Sequence, residues 1–469
     1  MKYLVLLTMI CLAVTAVAQS RRAAPQPSAT PPGSEMTVKA MFDEVNGYNK
    51  AKFAEFEAKK IPYSEKLRIQ TEREQRQLAA KYAAMAGTRK NVAGEDLYYA
   101  GLLHWVAENL DRTGETLLAY LASEQIAPER AQTARSIIAV AAAKQRKLDE
   151  ALAANAEYLK NSPIKLSDRT RMEGEIAKAY FAQKKWAESA DHAEQAYHAA
   201  KAVLTQSGLT QRGLDETLDT AMQLFESRRA SGDQKAADAV LGDLRQTAAA
   251  IGSPSLYAYA ADKLIVHMID TGRKPLALET FSSALTAAAK DMPSKAKQDE
   301  AANLLKKRER QYKLLGEAAP ELDGVDQWFS GKARSLTELR GRVVLLDFWA
   351  TWCGPCFDAF PSLVEWHRDL SENGLVILGV TRYYGNAGGL PVDNAGEIEF
   401  LKTFKAKQGL PYDFVVTDGQ ASQFLFAATA LPTTVLIDRK GVVRYIESGT
   451  NPTRVEELRQ AVMRLLAEK

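Results

Sequence analysis

The chain has 469 residues, 46% hydrophobic and 25% charged, with 61 Lys and Arg against 58 Asp and Glu for a formal net charge of +3. That length accommodates about two to four domains, and the composition is that of an ordinary globular protein. The near-balance of charge offers nucleic acid no attraction, so no nucleic-acid partner is expected.

The first segment reads as an address. Lys2 precedes an apolar run from Leu4 to Val17, and Ala16-Val17-Ala18 forms a small-x-small cleavage site before Gln19. This layout predicts a signal peptide over residues 1–18 and an exported, periplasmic chain; if uncleaved, the segment would tether the protein to the membrane. Cys11 lies inside the run and leaves with it, so the mature chain would keep only Cys353 and Cys356. Residues 19–36, rich in Pro, Ala, Ser and Arg, cannot bury a core and read as a flexible linker.

Residues 37–315 are Ala-rich and helical in pattern, with apolar residues recurring at three- and four-residue steps and short Gly or Pro breakers between segments. Four helix pairs pivot about Ala151, Ala190, Ala237 and Ala277. Tyr180 to Tyr197 resembles one hairpin of a tetratricopeptide repeat, although the spacing departs from a strict period. The expected architecture is a helical-hairpin solenoid that holds a protein partner or the substrate.

From Gly316 the pattern changes to β-branched runs alternating with helical stretches, which predicts an α/β domain over 316–469. Strands are expected at 343–348, 376–381, 414–417, 434–437 and 442–447. Helices are expected from the cysteines to about 371, at 398–407 and at 454–466. Asp438-Arg439-Lys440-Gly441 reads as a hairpin turn between two edge strands. The loop 383–396 (YYGNAGGLPVDNAG) reads as a surface insertion, with an overhang of the substrate groove as the alternative.

The chemistry concentrates in VVLLDFWATWCGPC, residues 343–356. Two cysteines this close make a weak structural staple, because the loop they close is tiny. Their value is as a dithiol that opens and closes. Cys353, at the start of a helix, meets unpaired backbone N–H groups that favour thiolate, which makes it the attacking nucleophile; Cys356 resolves the mixed disulfide. Pro355 suits the first helical turn. Asp347, in an otherwise apolar strand, is expected to have a raised pKa and to take the proton of the buried thiol. Pro432 is either trans in a simple turn or cis, with the Leu431 backbone turned toward a substrate strand.

FWATWCGPC, with Asp347 upstream and ATALPTTVLIDRKG downstream, resembles the thioredoxin superfamily, and within it the exported TlpA/ResA-like branch. The resemblance implies a thioredoxin-like fold after the helical domain and a thiol–disulfide oxidoreductase. It implies Cys353 as nucleophile, Cys356 as resolving thiol, Asp347 as proton acceptor and Pro432 as the cis-proline facing the dithiol. Trp352 would shield the site, and Gly354 and Pro355 would set its redox poise. It further implies a disulfide-bearing substrate protein and a membrane or periplasmic electron donor. No cofactor beyond the Cys353–Cys356 pair and no metal is expected. The branch often has Glu three residues after the second cysteine; Ala359 stands there, which shifts the proton role to Asp347. Two other readings are a helical scaffold with an accessory thioredoxin-like domain, and a thiol peroxidase.

Overall fold

The computed structural model describes residues 36–124, 126–207, 210–329 and 333–468. The signal segment and all but the last residue of the expected linker lie outside the described residues. The chain divides into two compact units, with the boundary between Thr247 and Ala248.

The first unit is built from helices: α1 (Val38–Ala58), α2 (Glu65–Gly87), α3 (Glu95–Val106), α4 (Leu110–Leu121), α5 (Pro128–Lys144), α6 (Leu148–Lys160), α7 (Leu166–Ala182), α8 (Trp186–Ser207), α9 (Gln211–Ala230) and α10 (Gln234–Ala250), the last crossing the boundary. Neighbouring helices turn back on one another through a left-handed residue two positions before the second helix: Glu108, Arg146, Lys184 and Gly232. The pivot alanines 151, 190 and 237 are fully buried near the starts of α6, α8 and α10, where a larger side chain would hold the helices apart. In the α7–α8 hairpin, buried Glu173 accepts hydrogen bonds from Asn155 at 3.1 Å and from His192 at 2.6 Å.

The second unit starts with four helices, α11 (Pro254–Asp270), α12 (Lys274–Asp291), α13 (Lys295–Lys306) and α14 (Glu309–Leu314). A six-stranded sheet follows, made of β1 (Val325–Phe329), β2 (Val343–Phe348), β3 (Leu375–Arg382), β6 (Asp413–Thr417), β7 (Thr433–Ile437) and β8 (Val443–Ser448). Its order is β1-β6-β3-β2-β7-β8, and a small hairpin, β4 (Asn386–Ala387) and β5 (Leu390–Pro391), stands apart. Strand β2 runs parallel to β3 and antiparallel to β7, so it is central, and all six of its residues are buried. Helices α15 (Gly354–Phe357), α16 (Phe360–Leu370), α17 (Asn394–Gln408), α18 (Ala421–Leu425) and α19 (Pro452–Ala467) complete the unit. This is the expected helical-hairpin region followed by an α/β domain of thioredoxin-like type.

Three expectations about this unit change. The helix after the cysteines is broken into α15 and α16, because Pro361 sits in the first turn of α16 and its ring would clash with the carbonyl four residues back. Of the two hairpin strands, only β8 is at the sheet edge; β7 pairs on both sides. Strand β1 and helix α18 escaped the sequence reading: β1 (VDQWF) is a short edge strand without polar–apolar alternation, and α18 is only five residues long.

The four leading helices are joined to the sheet by polar contacts. Arg308 donates from Nε to Asp262 at 2.8 Å and from Nη1 to the Ile446 carbonyl of β8 at 3.0 Å. Tyr312 donates its hydroxyl to Asp262 at 2.7 Å, and Lys263 pairs with Glu457 of α19 at 2.8 Å. The segment after α14 then covers the β8 edge, with Gly316 N–H donating to Val443 and Val443 N–H to Glu317. Covering a free edge in this way closes it to other chains.

Candidate active site

Strand β2 delivers the site. Side chains alternate across a strand, so Val343, Leu345, Asp347 and Trp349 share one face. Val343, Leu345 and Trp349 belong to the same apolar core as Cys353, Cys356, Tyr412 and Phe414, which puts Asp347 in the layer that also holds the cysteines. The chain leaves β2, turns at Thr351-Trp352 and enters α15 with Cys353 as its N-cap.

Cys353 and Cys356 form a disulfide, with Cα atoms 5.4 Å apart. Cys353 retains 4% exposure and Cys356 none. Gly354 and Pro355 are exposed between them, and Trp352 is 60% exposed. Any reagent reaching the pair meets Cys353 first, with Trp352 beside it.

Asp347 is 1% exposed, and neither carboxylate oxygen has a hydrogen-bond partner among the described residues. Its neighbours across the sheet are Gly379 on β3 and Thr434 on β7. Gly379 brings no side chain, and a Cβ there would lie 3.0 Å from the Phe414 ring and from Trp349 Nε1. The carboxyl is thus walled by rings rather than by cations. Burial alone pushes its pKa up to about 7, so the carboxyl changes protonation near neutrality.

Tyr412, which sequence reasoning passed over, joins this layer, and His367 lies next to it. Tyr412 is 1% exposed with an unpartnered hydroxyl; burial and then the neighbouring Asp347 charge both raise its pKa. His367, on α16, has its ring centroid 6.3 Å from that of Tyr412, and burial holds its pKa down. His367 reads in sequence as a surface or packing residue; Tyr412 carries no signal of its own, and the fold brings it into the core that holds the cysteines.

The Leu431–Pro432 bond is cis. Pro432 is buried just before Thr433, which lies opposite Phe348 in the β2–β7 register, and Leu431 packs on the core containing the cysteines. The structure therefore gathers Asp347, Trp352, Cys353, Gly354, Pro355, Cys356, Leu431 and Pro432 at one end of the sheet. Ala359, half-buried at the α15–α16 break, brings no carboxylate.

The loop 383–396 is more than a surface insertion. Buried Glu397 accepts the backbone N–H groups of Tyr384 at 3.0 Å and Gly385 at 2.8 Å, fixing the stem of the loop. The Tyr384 ring then stands edge-on to Trp352, with centroids 5.3 Å apart. The tip carries Leu390, 70% exposed.

A central strand feeding a helix-opening disulfide, over a buried carboxyl and next to a cis-proline loop, defines a protein of the thioredoxin class. Residues 315–462 match the family described as Redoxin. Thiol-disulfide oxidoreductase ResA from Geobacillus thermodenitrificans is 31% identical over 137 residues, 29% of this chain and 70% of that protein. Protein DipZ from Mycobacterium tuberculosis is 31% identical over 148 residues, 30% of this chain and 19% of its own length, so the chain spans under a fifth of that relative. The solved structure of a thiol-disulfide isomerase from Corynebacterium glutamicum is 23% identical, with a TM-score of 0.27, covering 32% of this chain and 98% of that one. Through its C-terminal domain the chain belongs to the ResA-like thiol-disulfide oxidoreductases.

Proposed function

We propose that the protein reduces disulfides in other proteins through Cys353 and Cys356, outside the cytoplasm. The observation that carries this reading is a near-buried disulfide in the same core layer as an unpartnered buried carboxyl whose pKa is pushed up to about 7. In the reduced protein the Cys353 thiolate attacks a substrate disulfide, forming a mixed disulfide and releasing one substrate thiolate. Cys356 loses its proton to Asp347 and attacks Cys353, which releases the second substrate thiol and restores the Cys353–Cys356 bond. Two electrons pass to the substrate, and a membrane or periplasmic donor returns them. Trp352 shields the pair, Gly354 and Pro355 set its potential, and Leu431 and Pro432 line the substrate side.

Residues 37–315 bind a partner or the substrate in this reading, as helical repeats do. Export through the segment 1–18 fits the ResA relatives, and no helix among the described residues is long and apolar enough to cross a membrane. The test is dithiothreitol-dependent insulin reduction by the mature chain. Turnover is expected in the wild type and loss to background in Cys353→Ser; an inactive wild type sinks the reading.

A further inference from the structure

We infer that the rim of the dithiol selects an acidic polypeptide segment with apolar neighbours as its disulfide substrate, an inference that rests on the reductase reading above. Two arginines carry it. Arg382, at the end of β3, holds its guanidinium 4.1 Å from the centroid of Tyr384, the ring that stands edge-on to Trp352 beside Cys353. Its Nη1 donates to the Tyr383 carbonyl at 3.0 Å, and its Nε is buried, which leaves the outer edge of the half-buried guanidinium to face a substrate. Arg310, exposed on α14, lies 5.7 Å from the ring of Phe424. Phe424 is itself 57% exposed, next to Leu425 at 44%. Gln423 joins the two halves of the rim by donating to the Tyr384 hydroxyl at 3.3 Å.

Neither arginine has a carboxylate partner among the described residues, whereas Arg308, Arg444 and Arg454 in the same unit are all paired with acids. Glu397, the carboxylate under the Tyr384 loop, is buried and committed to backbone N–H groups, so it does not neutralise Arg382. A guanidinium stacked on a ring keeps its N–H edge free and oriented for a carboxylate. Exposed Trp352, Phe424 and Leu425 supply the apolar contacts that a passing chain would cover. The occupant that satisfies both features is an extended segment with Asp or Glu close to its disulfide and an apolar residue beside it.

The test uses two disulfide-linked peptide dimers, identical except that Asp and Glu flank the cysteine in one and Lys in the other. Full-length protein reduced with dithiothreitol, then freed of reductant, is mixed with each, and the single-turnover loss of its two thiols is followed. Each turnover moves two electrons and two protons from Cys353 and Cys356 to the peptide disulfide. At low salt the acidic dimer is expected to react about tenfold faster, with the preference collapsing toward unity at high salt. Arg310→Gln and Arg382→Gln are each expected to remove about twofold to fivefold of it, and Arg382→Lys to retain more than Arg382→Gln. Equal wild-type rates on both dimers overturn the inference and leave the reductase reading intact, while failure to reduce either dimer overturns both. A wild-type preference that ignores salt, or that survives both Gln substitutions, also overturns the assignment.

Discussion

Two aspartates in the C-terminal unit, Asp347 buried and Asp262 half-buried, titrate in opposite directions. For both, burial is the largest effect and raises the pKa. At Asp347 nothing opposes it. At Asp262 the Arg308 guanidinium, the Tyr312 hydroxyl and Lys263 together outweigh it and hold the carboxyl below its ordinary value. The two carboxyls even share a neighbour type, since Tyr312 and Tyr412 are both buried, one donating to Asp262 and the other unpartnered. The comparison teaches that burial does not decide what an acid does. Partners decide it, and they make Asp262 a clasp between helices and sheet while leaving Asp347 free to take a proton.

The sharpest way to break the contrast is to remove the partner of the clasp. Arg308→Met leaves Asp262 without its main cation and frees the Ile446 carbonyl. It should cost about 2–4 kcal/mol in urea unfolding of the full chain, a buried-pair value discounted for the pair's remaining exposure. A loss below about 0.5 kcal/mol would show that the clasp is ornamental.

At the other acid the sign reverses. Asp347 has a folded pKa above the unfolded value of about 3.9, so the folded state holds the proton more tightly. Its contribution to stability is full below that value and is lost as pH rises toward about 7, by on the order of 4 kcal/mol in total. Asp347→Asn should remove this loss, so the variant gains on the wild type between about pH 4 and pH 7, as read by unfolding across that range. Asp262 runs the other way. Its contribution is present above the ordinary carboxylate range and is lost as pH falls through its lowered pKa.

The same substitution should cost activity. Asp347→Asn is expected to slow insulin reduction about 10- to 100-fold and to flatten the rise of rate with pH around 7. An unchanged pH profile would remove Asp347 from the mechanism.

The smallest effects should separate the tyrosines. Tyr312→Phe deprives Asp262 of a donor and should cost about 1–2 kcal/mol. Tyr412→Phe removes an unpartnered hydroxyl and should be neutral or slightly stabilising. Equal losses in thermal melts would erase the distinction between the two regions.

Much of the site was legible because its residues are close in sequence or carry strong local chemistry. The β2 bounds, Val343 to Phe348, follow from an unbroken apolar run, and the cysteines from their spacing. The turn 438–441 joins antiparallel strands as its residues required. Tyr412 was not legible, and Tyr384 was legible only as part of the loop 383–396, whose overhang of the groove was the alternative reading. Tyr412 lies far along the chain from Cys353 and joins its core through sheet order, and Tyr384 meets Trp352 through a loop stem held by Glu397.

The sequence by itself determined the dithiol, the strand that delivers it, the acid set in that strand, and the succession of helices before an α/β domain. Those follow from periodicity and from residue chemistry, both of which are local. The tertiary structure decided which acid finds a cation and which finds only rings, and that Arg382 stacks on the ring standing beside Trp352. Those outcomes depend on which distant segments meet, and the free energy of a charge is set by its neighbours in space.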